Sequence, residues 1–257
     1  MESFNELALA YDNSIDWGSR LNRELPFLQF YMDEFKADRV LDMACGSGRH
    51  AVALASLGFN VVGFDTSEGM IAAARNHAKN ARVAVEFHIA DMQRFSSKVD
   101  GPFDVVICLG NSLALLPNFE VLKDVIKAVY DVLSPSGSFI FQVLNFEEVL
   151  ISGFRFFPIK GGKTSVGEDV VFSRFYEHSD ESWSTLVATS FVKKGKDWET
   201  AISTRRVLHT NLKTLETMLT KTGFENFEFF SDYHKNGFDS KKSRNLVVSA
   251  RRKQGNE

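Results

Sequence analysis

The 257-residue sequence predicts an α/β protein with a doubly wound, mostly parallel seven-stranded sheet and an antiparallel β insertion after the fifth strand. Between residues 40 and 144, short apolar runs alternate with amphipathic segments, which is typical of parallel strands joined by crossover helices. A glycine-containing turn separates the first strand from its helix. After residue 150 the alternation gives way to hairpin-like runs, which predict antiparallel strands.

Each predicted core element has its own sequence signal. Residues 103–109 form a continuous apolar run, which indicates a strand covered on both faces. Ser67 can cap a helix, Gly58 and Gly223 can stop one, and residues 134–137 (Ser-Pro-Ser-Gly) predict a turn. We predict strands at 40–44, 61–64, 83–89, 103–109, 139–144, 224–233 and 246–251, and helices at 21–35, 50–57, 67–80, 119–133 and 212–222.

The chain divides into three predicted parts. Residues 1–36 form an N-terminal covering segment and helix, residues 37–149 and 210–257 form the core, and residues 150–209 form the insertion. In the insertion, strand-like runs at 170–176 and 186–192 are flanked by turn-like stretches at 161–163 and 193–196. Because so long a loop without structure is uncommon in a compact domain, we predict an antiparallel subdomain that serves as a lid or an oligomer contact.

The composition indicates a protein without a nucleic-acid or membrane partner. Thirty basic and 33 acidic residues give a net charge of −3, whereas phosphate binding favours a basic excess. Two isolated cysteines, Cys45 and Cys108, provide no disulfide framework or metal cluster and are expected to be buried. The sequence shows neither a signal peptide nor an apolar run long enough to span a membrane, so we predict a cytoplasmic protein.

The turn after the first strand has the spacing of a nucleotide-cofactor site. Gly46 and Gly48 let the backbone approach a ligand, and Asp65, about 20 residues further on, ends the second strand, where its carboxylate can accept ribose hydroxyls. Gly46, Gly48 and Ala51 also satisfy the G-x-G-x-x-A pattern of dinucleotide-binding proteins. The glycine spacing alone therefore leaves a nicotinamide-dependent oxidoreductase and a methyltransferase open.

Two further acids favour the methyltransferase. Asp42, just before the glycine turn, would repel a pyrophosphate but would attract the ammonium and sulfonium groups of S-adenosylmethionine. Asp91, after the third strand, can accept the adenine amino group while Met92 covers the ring. Because parallel strands end at one edge of a sheet, we expect the carboxylates of Asp42, Asp65 and Asp91 to lie along that edge.

Two segments resemble a known family. Residues 40–48 (VLDMACGSG) resemble motif I of class I S-adenosylmethionine-dependent methyltransferases, which have a Rossmann-like fold. Residues 103–112 (FDVVICLGNS) are similar to the fourth-strand segment of glycine and sarcosine N-methyltransferases. Tyr11, Trp17 and Arg20 resemble that group's cofactor-covering segment. The resemblance implies a methyltransferase that uses S-adenosylmethionine and releases S-adenosylhomocysteine.

The resemblance also implies roles for single residues. It implies that Tyr11, Trp17 and Arg20 close over the cofactor and that Arg20 reaches the cofactor carboxylate. It places Asn111 at the reaction centre as the candidate catalytic residue. The remaining implied cofactor-binding residues are Asp42, Ala44, Gly46, Gly48, Asp65, Thr66, Met70, Asp91, Met92 and Leu109.

The sequence specifies the methyl acceptor less closely than the methyl donor. The glycine enzymes place an arginine after the fifth strand, where this chain has Leu144 and Asn145, so we name Asn145 and Arg155 as candidate substrate residues. Methyl transfer by in-line displacement needs neither a metal nor a covalent nucleophile, and we predict no metal site. We predict methyl transfer to a small-molecule amine; the alternatives are an RNA or protein methyltransferase and a nicotinamide-dependent oxidoreductase.

Overall fold

The structure is a computed structural model and describes residues 11–164, 166–178 and 180–254. Its helices are α1 (Trp17–Glu34), α2 (Arg49–Ser56), α3 (Glu68–Ala81), α4 (Phe119–Val132), α5 (Phe146–Ile151) and α6 (Leu212–Thr222). Its strands are β1 (Arg39–Met43), β2 (Asn60–Asp65), β3 (Glu86–Ile89), β4 (Phe103–Cys108), β5 (Leu133–Leu144), β6 (Lys160–Lys163), β7 (Asp169–Glu177), β8 (Trp183–Lys194), β9 (Asp197–Leu208), β10 (Phe224–Phe230) and β11 (Asn245–Arg252).

The main sheet has seven strands in the order β10-β11-β5-β4-β1-β2-β3. Strands β1 to β5 pair in parallel, and β11 and β10 complete the sheet in antiparallel orientation. This order confirms the predicted doubly wound, mostly parallel sheet. The strand order reverses between β1 and β4, which makes this position the topological switch point of the sheet. Ligands of open α/β sheets bind at the carboxyl ends of the strands beside such a point.

Helices cover both faces of the main sheet. Leu41 and Phe139 belong to a buried cluster that includes residues of α4 and α6, whereas Val40 and Ile107 belong to a second cluster with α1, α2 and α3. Successive side chains of a strand point to opposite faces, so Asp42 shares the second face with Val40. The sheet therefore carries the Asp42 carboxylate into the layer formed by α1 and α2.

Several elements differ from the predictions. Strand β3 begins at Glu86 and not at residue 83, and β10 ends at Phe230 and not at residue 233. Helix α1 begins at Trp17, earlier than predicted, because the Asp16 side chain accepts from the Ser19 N–H and caps it. Residues 134–137, predicted as a turn, lie within the bounds of β5, but the shift between the pairs Phe103–Leu133 and Val105–Ser138 leaves them without partners in β4. The turn predicted at 161–163 is wrong, because these residues pair with β7 as β6. Helix α5 was not predicted.

The insertion folds into a second, four-stranded antiparallel sheet in the order β6-β7-β8-β9. It packs on the core through a cluster in which Tyr176 and Val207 of the insertion meet Ala114 and Phe146 of the core. Tyr176 is 1% exposed and Val207 is fully buried. This cluster attaches the insertion beside the segment that follows β4, at the carboxyl edge of the main sheet.

The structure also describes the cysteines, the hydrophobicity of the helices and the grouping of possible metal ligands. Both cysteines are buried and free of a disulfide, as expected. Within the described ranges, no helix combines the length and the apolar character that crossing a membrane requires. Among the same residues, no three His, Cys, Asp or Glu side chains cluster as metal ligands would.

Candidate active site

The turn between β1 and α2 is held in left-handed backbone conformations. Ala44, Gly46 and Gly48 have φ values of 52°, 56° and 70°. A Cβ at Gly48 would lie 2.7 Å from the Ala74 Cβ and 2.8 Å from the Phe87 ring, so packing excludes a side chain there. A Cβ at Gly46 would meet nothing within 4 Å. The two glycines thus differ: Gly48 serves packing, and Gly46 leaves the backbone open to a ligand.

Asp65 lies at the end of β2 and braces the glycine turn. One carboxylate oxygen accepts from the Gly46 N–H at 3.0 Å, and the other accepts from the Ser67 N–H at 2.9 Å. A carboxylate has about four acceptor positions, so two such bonds leave capacity for a ligand hydroxyl. Ser67 caps α3 by accepting from the Met70 N–H at 3.2 Å, and Thr66 beside it is exposed.

Asp91 lies just beyond the end of β3, which is the strand next to β2. The Ala90 N–H donates to the Asp65 carbonyl at 3.1 Å, which joins the ends of the two strands. One Asp91 oxygen accepts from the Gln93 N–H at 2.8 Å and shapes the following turn. Met92 is half-buried and packs on the core. The strand order therefore places the acids of β1, β2 and β3 in sequence along one edge.

Asp42 is buried below the glycine turn, with one carboxylate oxygen lacking a hydrogen-bond partner among the described residues. Burial raises the pKa of Asp42 to about 6, although the nearby His50 and the Ala51 N–H favour the charged carboxylate. The Asp65 carboxylate raises that pKa further. An unpaired buried carboxylate is costly, so this position favours a cationic ligand group.

A buried pair, Glu24 and His50, lies next to Asp42. His50 Nε2 lies 2.7 Å from a Glu24 carboxylate oxygen, and Arg20 Nε donates to the other Glu24 oxygen at 3.0 Å. Burial opposes the charge on Glu24, but His50 and Arg20 outweigh it and lower the pKa of Glu24. An Arg20 terminal nitrogen lies 3.5 Å from the Cβ position of Gly110, at the end of β4. The pair therefore holds the Arg20 guanidinium at the sheet edge.

The N-terminal segment is fastened to the glycine turn. The Ser47 hydroxyl donates to Asp12 at 2.7 Å, and Arg49 lies 3.9 Å from the same carboxylate. Trp17 Nε1 donates to the Asp12 carbonyl at 3.0 Å, and the Arg20 guanidinium lies 4.8 Å above the Trp17 ring. These bonds bring Trp17 and Arg20 to the same edge as the acids.

The end of β4 is fixed by β5. Gln142 accepts from the Gly110 N–H through its side chain at 3.1 Å and from the Asn111 N–H through its carbonyl at 3.1 Å. The Asn111 side-chain oxygen accepts from the Leu144 N–H at 2.8 Å, and Asn111 has a φ of 68°. Leu109 is buried at the start of this turn. Asn111 is therefore held rigidly, with its amide plane fixed.

The two candidate substrate residues are occupied by structural bonds. Asn145 is completely buried, caps α5, and donates its two amide N–H groups to the carbonyls of Ser240 and Ser243. Arg155 is exposed and donates from Nε to the Tyr176 carbonyl at 3.0 Å. Asn145 thus joins the core to the 240–243 turn, and both of its amide N–H groups are engaged there.

Several site residues were missed from sequence. The Glu24–His50 pair joins α1 to α2 and has no local spacing signal, although Glu24 follows Arg20 by one helical turn. Asp12 gave no signal beyond its place beside Tyr11. Only the three-dimensional arrangement reveals these groups.

Comparison with known proteins identifies the family. A family model of the methyltransferase domain matches residues 40–137. The glycine/sarcosine N-methyltransferase of Parasynechococcus marenigrum is 31% identical over 232 residues, which are 88% of this chain and 76% of that protein. The chain belongs to the class I S-adenosylmethionine-dependent methyltransferases. A second glycine/sarcosine N-methyltransferase, from Halorhodospira halochloris, is 29% identical over 87% of this chain and 79% of that protein.

Solved structures give the same fold for this methyltransferase. An S-adenosylmethionine-dependent methyltransferase from Clostridium acetobutylicum matches 98% of this chain and 99% of its own, with a TM-score of 0.79 and 19% identity. That match includes the insertion as well as the core. The family assignment makes S-adenosylmethionine the methyl donor and confirms the resemblance noted at residues 40–48 and 103–112.

Proposed function

We propose that this methyltransferase methylates an amine nitrogen of a small molecule. The observation that carries the use of S-adenosylmethionine is the buried carboxylate of Asp42, which keeps one oxygen unpaired in the strand that leads into the open turn at Gly46. A buried carboxylate with one unpaired oxygen suits the cationic methionine portion of the donor. The two relatives are both N-methyltransferases of small amines by name, which supports an amine acceptor.

The residues present fit the donor along the whole carboxyl edge. Asp65 and Asp91 can accept from the ribose and the adenine, Asp42 can attract the ammonium group, and Arg20 can bind the carboxylate. Each of these groups comes from a different element, and each is fixed by bonds already described. The residues that we propose to hold the donor are Tyr11, Trp17, Arg20, Asp42, Ala44, Gly46, Gly48, Asp65, Thr66, Met70, Asp91, Met92 and Leu109.

The chemistry requires alignment more than acid or base groups on the protein. Bound S-adenosylmethionine supplies an activated methyl group on sulfur, with a neutral thioether as the leaving group. The chain's own residues must orient the acceptor and exclude water, and such positioning supplies about 7–11 kcal/mol in favourable cases. We propose Asn111 for the reaction centre, because its backbone and side chain are both bonded to β5 and it can present a fixed amide to the acceptor.

Methyl transfer from labelled S-adenosylmethionine to a library of small amines tests this function. We expect transfer to at least one amine, with nitrogen-linked methyl groups identified by mass spectrometry. Ligand-induced thermal shifts test the donor separately, because a ligand at about 100 times its dissociation constant stabilises a protein by about 2.7 kcal/mol. A shift with NAD but not with S-adenosylhomocysteine, or transfer only to RNA or protein, would overturn the proposal.

Asp65→Ala tests the proposed donor site. The change removes a charge-assisted acceptor and two bonds that shape the turn, so we expect the affinity for S-adenosylhomocysteine to fall by about 100-fold in calorimetry. We expect the free energy of unfolding to change less, by about 1–2 kcal/mol. Asp100→Ala is the control, since Asp100 is exposed and precedes β4 at the opposite edge of the sheet. Equal affinity in both variants would remove Asp65 from the site.

A further inference from the structure

A cavity of about 330 Å³ lies on one face of the insertion sheet, next to the proposed donor site. Tyr11 of the N-terminal segment and Leu115, just after β4, line its core side. Tyr11 directly precedes Asp12, which is bonded to Ser47 of the glycine turn. The cavity is therefore adjacent to the carboxyl edge of the main sheet, and its volume falls within the usual range of small-molecule sites.

The strand register explains why a cavity forms on this face. Cross-strand rows of the sheet join Phe172, Ser190 and Ala201, and then Arg174, Ala188 and Ser203. Residues of one row share a face, so small side chains from β8 and β9 form the floor of the cavity. The larger side chains of Phe172 from β7 and Leu186 from β8 form its walls. The register thus produces a depression with apolar walls.

Two cations lie against Tyr11 at one end of the cavity, and Arg205 of β9 also lines it. The Arg174 guanidinium lies 4.7 Å from the Tyr11 ring centre, and the Lys160 ammonium lies 5.3 Å from it. Within the part of the chain that the structure describes, neither cation forms an ion pair with a carboxylate. Burial, followed by the like charges of Arg174 and Arg20, lowers the pKa of Lys160. Like charges held this close favour an anion between them.

We propose that this cavity binds the methyl acceptor, and that the acceptor is an amine bearing both an apolar group and an anionic group. The inference rests on the proposed function and specifies its substrate class. Arg174 would bind the anion, since a guanidinium presents paired N–H donors to a carboxylate or phosphate. The apolar walls would hold the rest of the molecule. Glycine has no apolar group for those walls, so the acceptor differs from glycine in size.

Binding of turnover-independent probes tests the inference. In protein saturated with S-adenosylhomocysteine, we expect 3-phenylpropionate to bind at least about 10-fold more tightly than 3-phenylpropionamide, as measured by calorimetry. Arg174→Gln should abolish this preference. Arg206→Gln is the matched control, because Arg206 is an exposed arginine of β9 whose guanidinium lies over the Trp183 ring, outside the cavity. Phenyl phosphate as a third probe separates a phosphate preference from a carboxylate preference.

A second variant tests the volume of the cavity. Ala188→Leu adds side-chain bulk to the floor and should abolish binding of 3-phenylpropionate while the affinity for S-adenosylhomocysteine stays within about twofold of the unaltered protein. That affinity also reports whether each variant folds. Sedimentation velocity of each variant shows whether a second copy of the chain, instead of a small molecule, covers this face.

The outcomes separate this inference from the proposed function. Equal binding of the acid and the amide, a preference that survives Arg174→Gln, or a cavity closed by a second copy would overturn the inference. Methylation of an uncharged amine in the same preparation would leave the proposed function standing. Binding of 3-phenylpropionate with the expected Arg174 dependence, but no methylation of any amine, would instead contradict the proposed function.

Discussion

The two sheets of this methyltransferase differ in how far they are buried. In the main sheet, β4 is buried along nearly its whole length, and Phe139 to Phe141 of β5 are fully buried. In the insertion, most residues of β9 are exposed, and Ile202 is 68% exposed. The proposed donor residues follow strands of the first sheet, and the proposed acceptor cavity lies on the second. The methyl donor is thus assigned to the more buried main sheet, and the methyl acceptor to the insertion sheet, which has fewer packing constraints.

This difference follows from the way each sheet is covered. Helices on both faces force the parallel strands to be apolar throughout, so a polar residue at a strand end, such as Asp42 or Asp65, has few alternatives to its position. The insertion sheet is covered less completely, because it packs on the core through one cluster and most residues of β9 stay exposed. Ala188 and Ser190 can therefore change in size without disturbing the main sheet.

A matched pair of isoleucine substitutions tests this comparison and has the largest expected effect. Ile140 in β5 is fully buried between the layers, so Ile140→Ala should lower the free energy of unfolding by about 2–5 kcal/mol. Ile202→Ala removes the same atoms from β9 and should change it by less than about 0.5 kcal/mol. Urea denaturation of both variants measures the two effects. Similar losses in the two variants would mean that the sheets are equally constrained.

The same contrast explains which parts of the fold the sequence predicts. Continuous apolar runs identified the core strands, and Ser67 and Gly223 identified helix ends that the structure confirms. The differences fall where local signals compete with pairing. Residues 134–137 have turn chemistry, but the ladder between β4 and β5 continues on both sides of them. Residues 161–163 have a glycine pair and yet serve as an edge strand.

The candidate site divides in a similar way. Residues that end strands could be located from sequence, because the carboxyl ends of parallel strands share an edge. The bonds Asp12–Ser47 and Glu24–His50 join segments that are distant in sequence, and no spacing rule predicts them. The place of Asn145 after β5 could be located from sequence, but the use of its amide by a helix cap and a turn could not.

Substitution of the two left-handed glycines around α2 separates packing from backbone strain. Gly48→Ala would place a Cβ 2.7 Å from Ala74 at a φ of 70°, so we expect the free energy of unfolding to fall by about 2–4 kcal/mol. Gly58→Ala meets no atom within 4 Å and should cost only about 1–2 kcal/mol through its backbone conformation. Urea denaturation again provides the measurement. Equal losses would show that the close approach to Ala74 and Phe87 is relieved by small shifts.

Asp42→Asn tests whether the ionised carboxylate of Asp42, buried in the main sheet, lowers the free energy of unfolding. The pKa of Asp42 is raised from 3.8 to about 6, so between these values the folded protein keeps a proton that the unfolded chain releases. Stability therefore falls as pH rises through this window, and at pH 7 the ionised carboxylate destabilises the ligand-free protein by about 2–3 kcal/mol. The asparagine variant lacks this loss.

The pH dependence of the difference between Asp42→Asn and the unaltered protein distinguishes this effect from a change in packing. Urea denaturation at each pH gives the unfolding free energy of the variant minus that of the unaltered protein. We expect this difference to be about 2 kcal/mol more favourable to the variant at pH 7 than near pH 4. The same variant should bind S-adenosylhomocysteine more weakly, because its amide no longer attracts the ammonium group. A difference that stays constant from pH 4 to pH 8 would mean that folding leaves the pKa of Asp42 unchanged. The main sheet would then hold the charge without a loss of stability, unlike the buried carboxylate inferred from the unpaired oxygen.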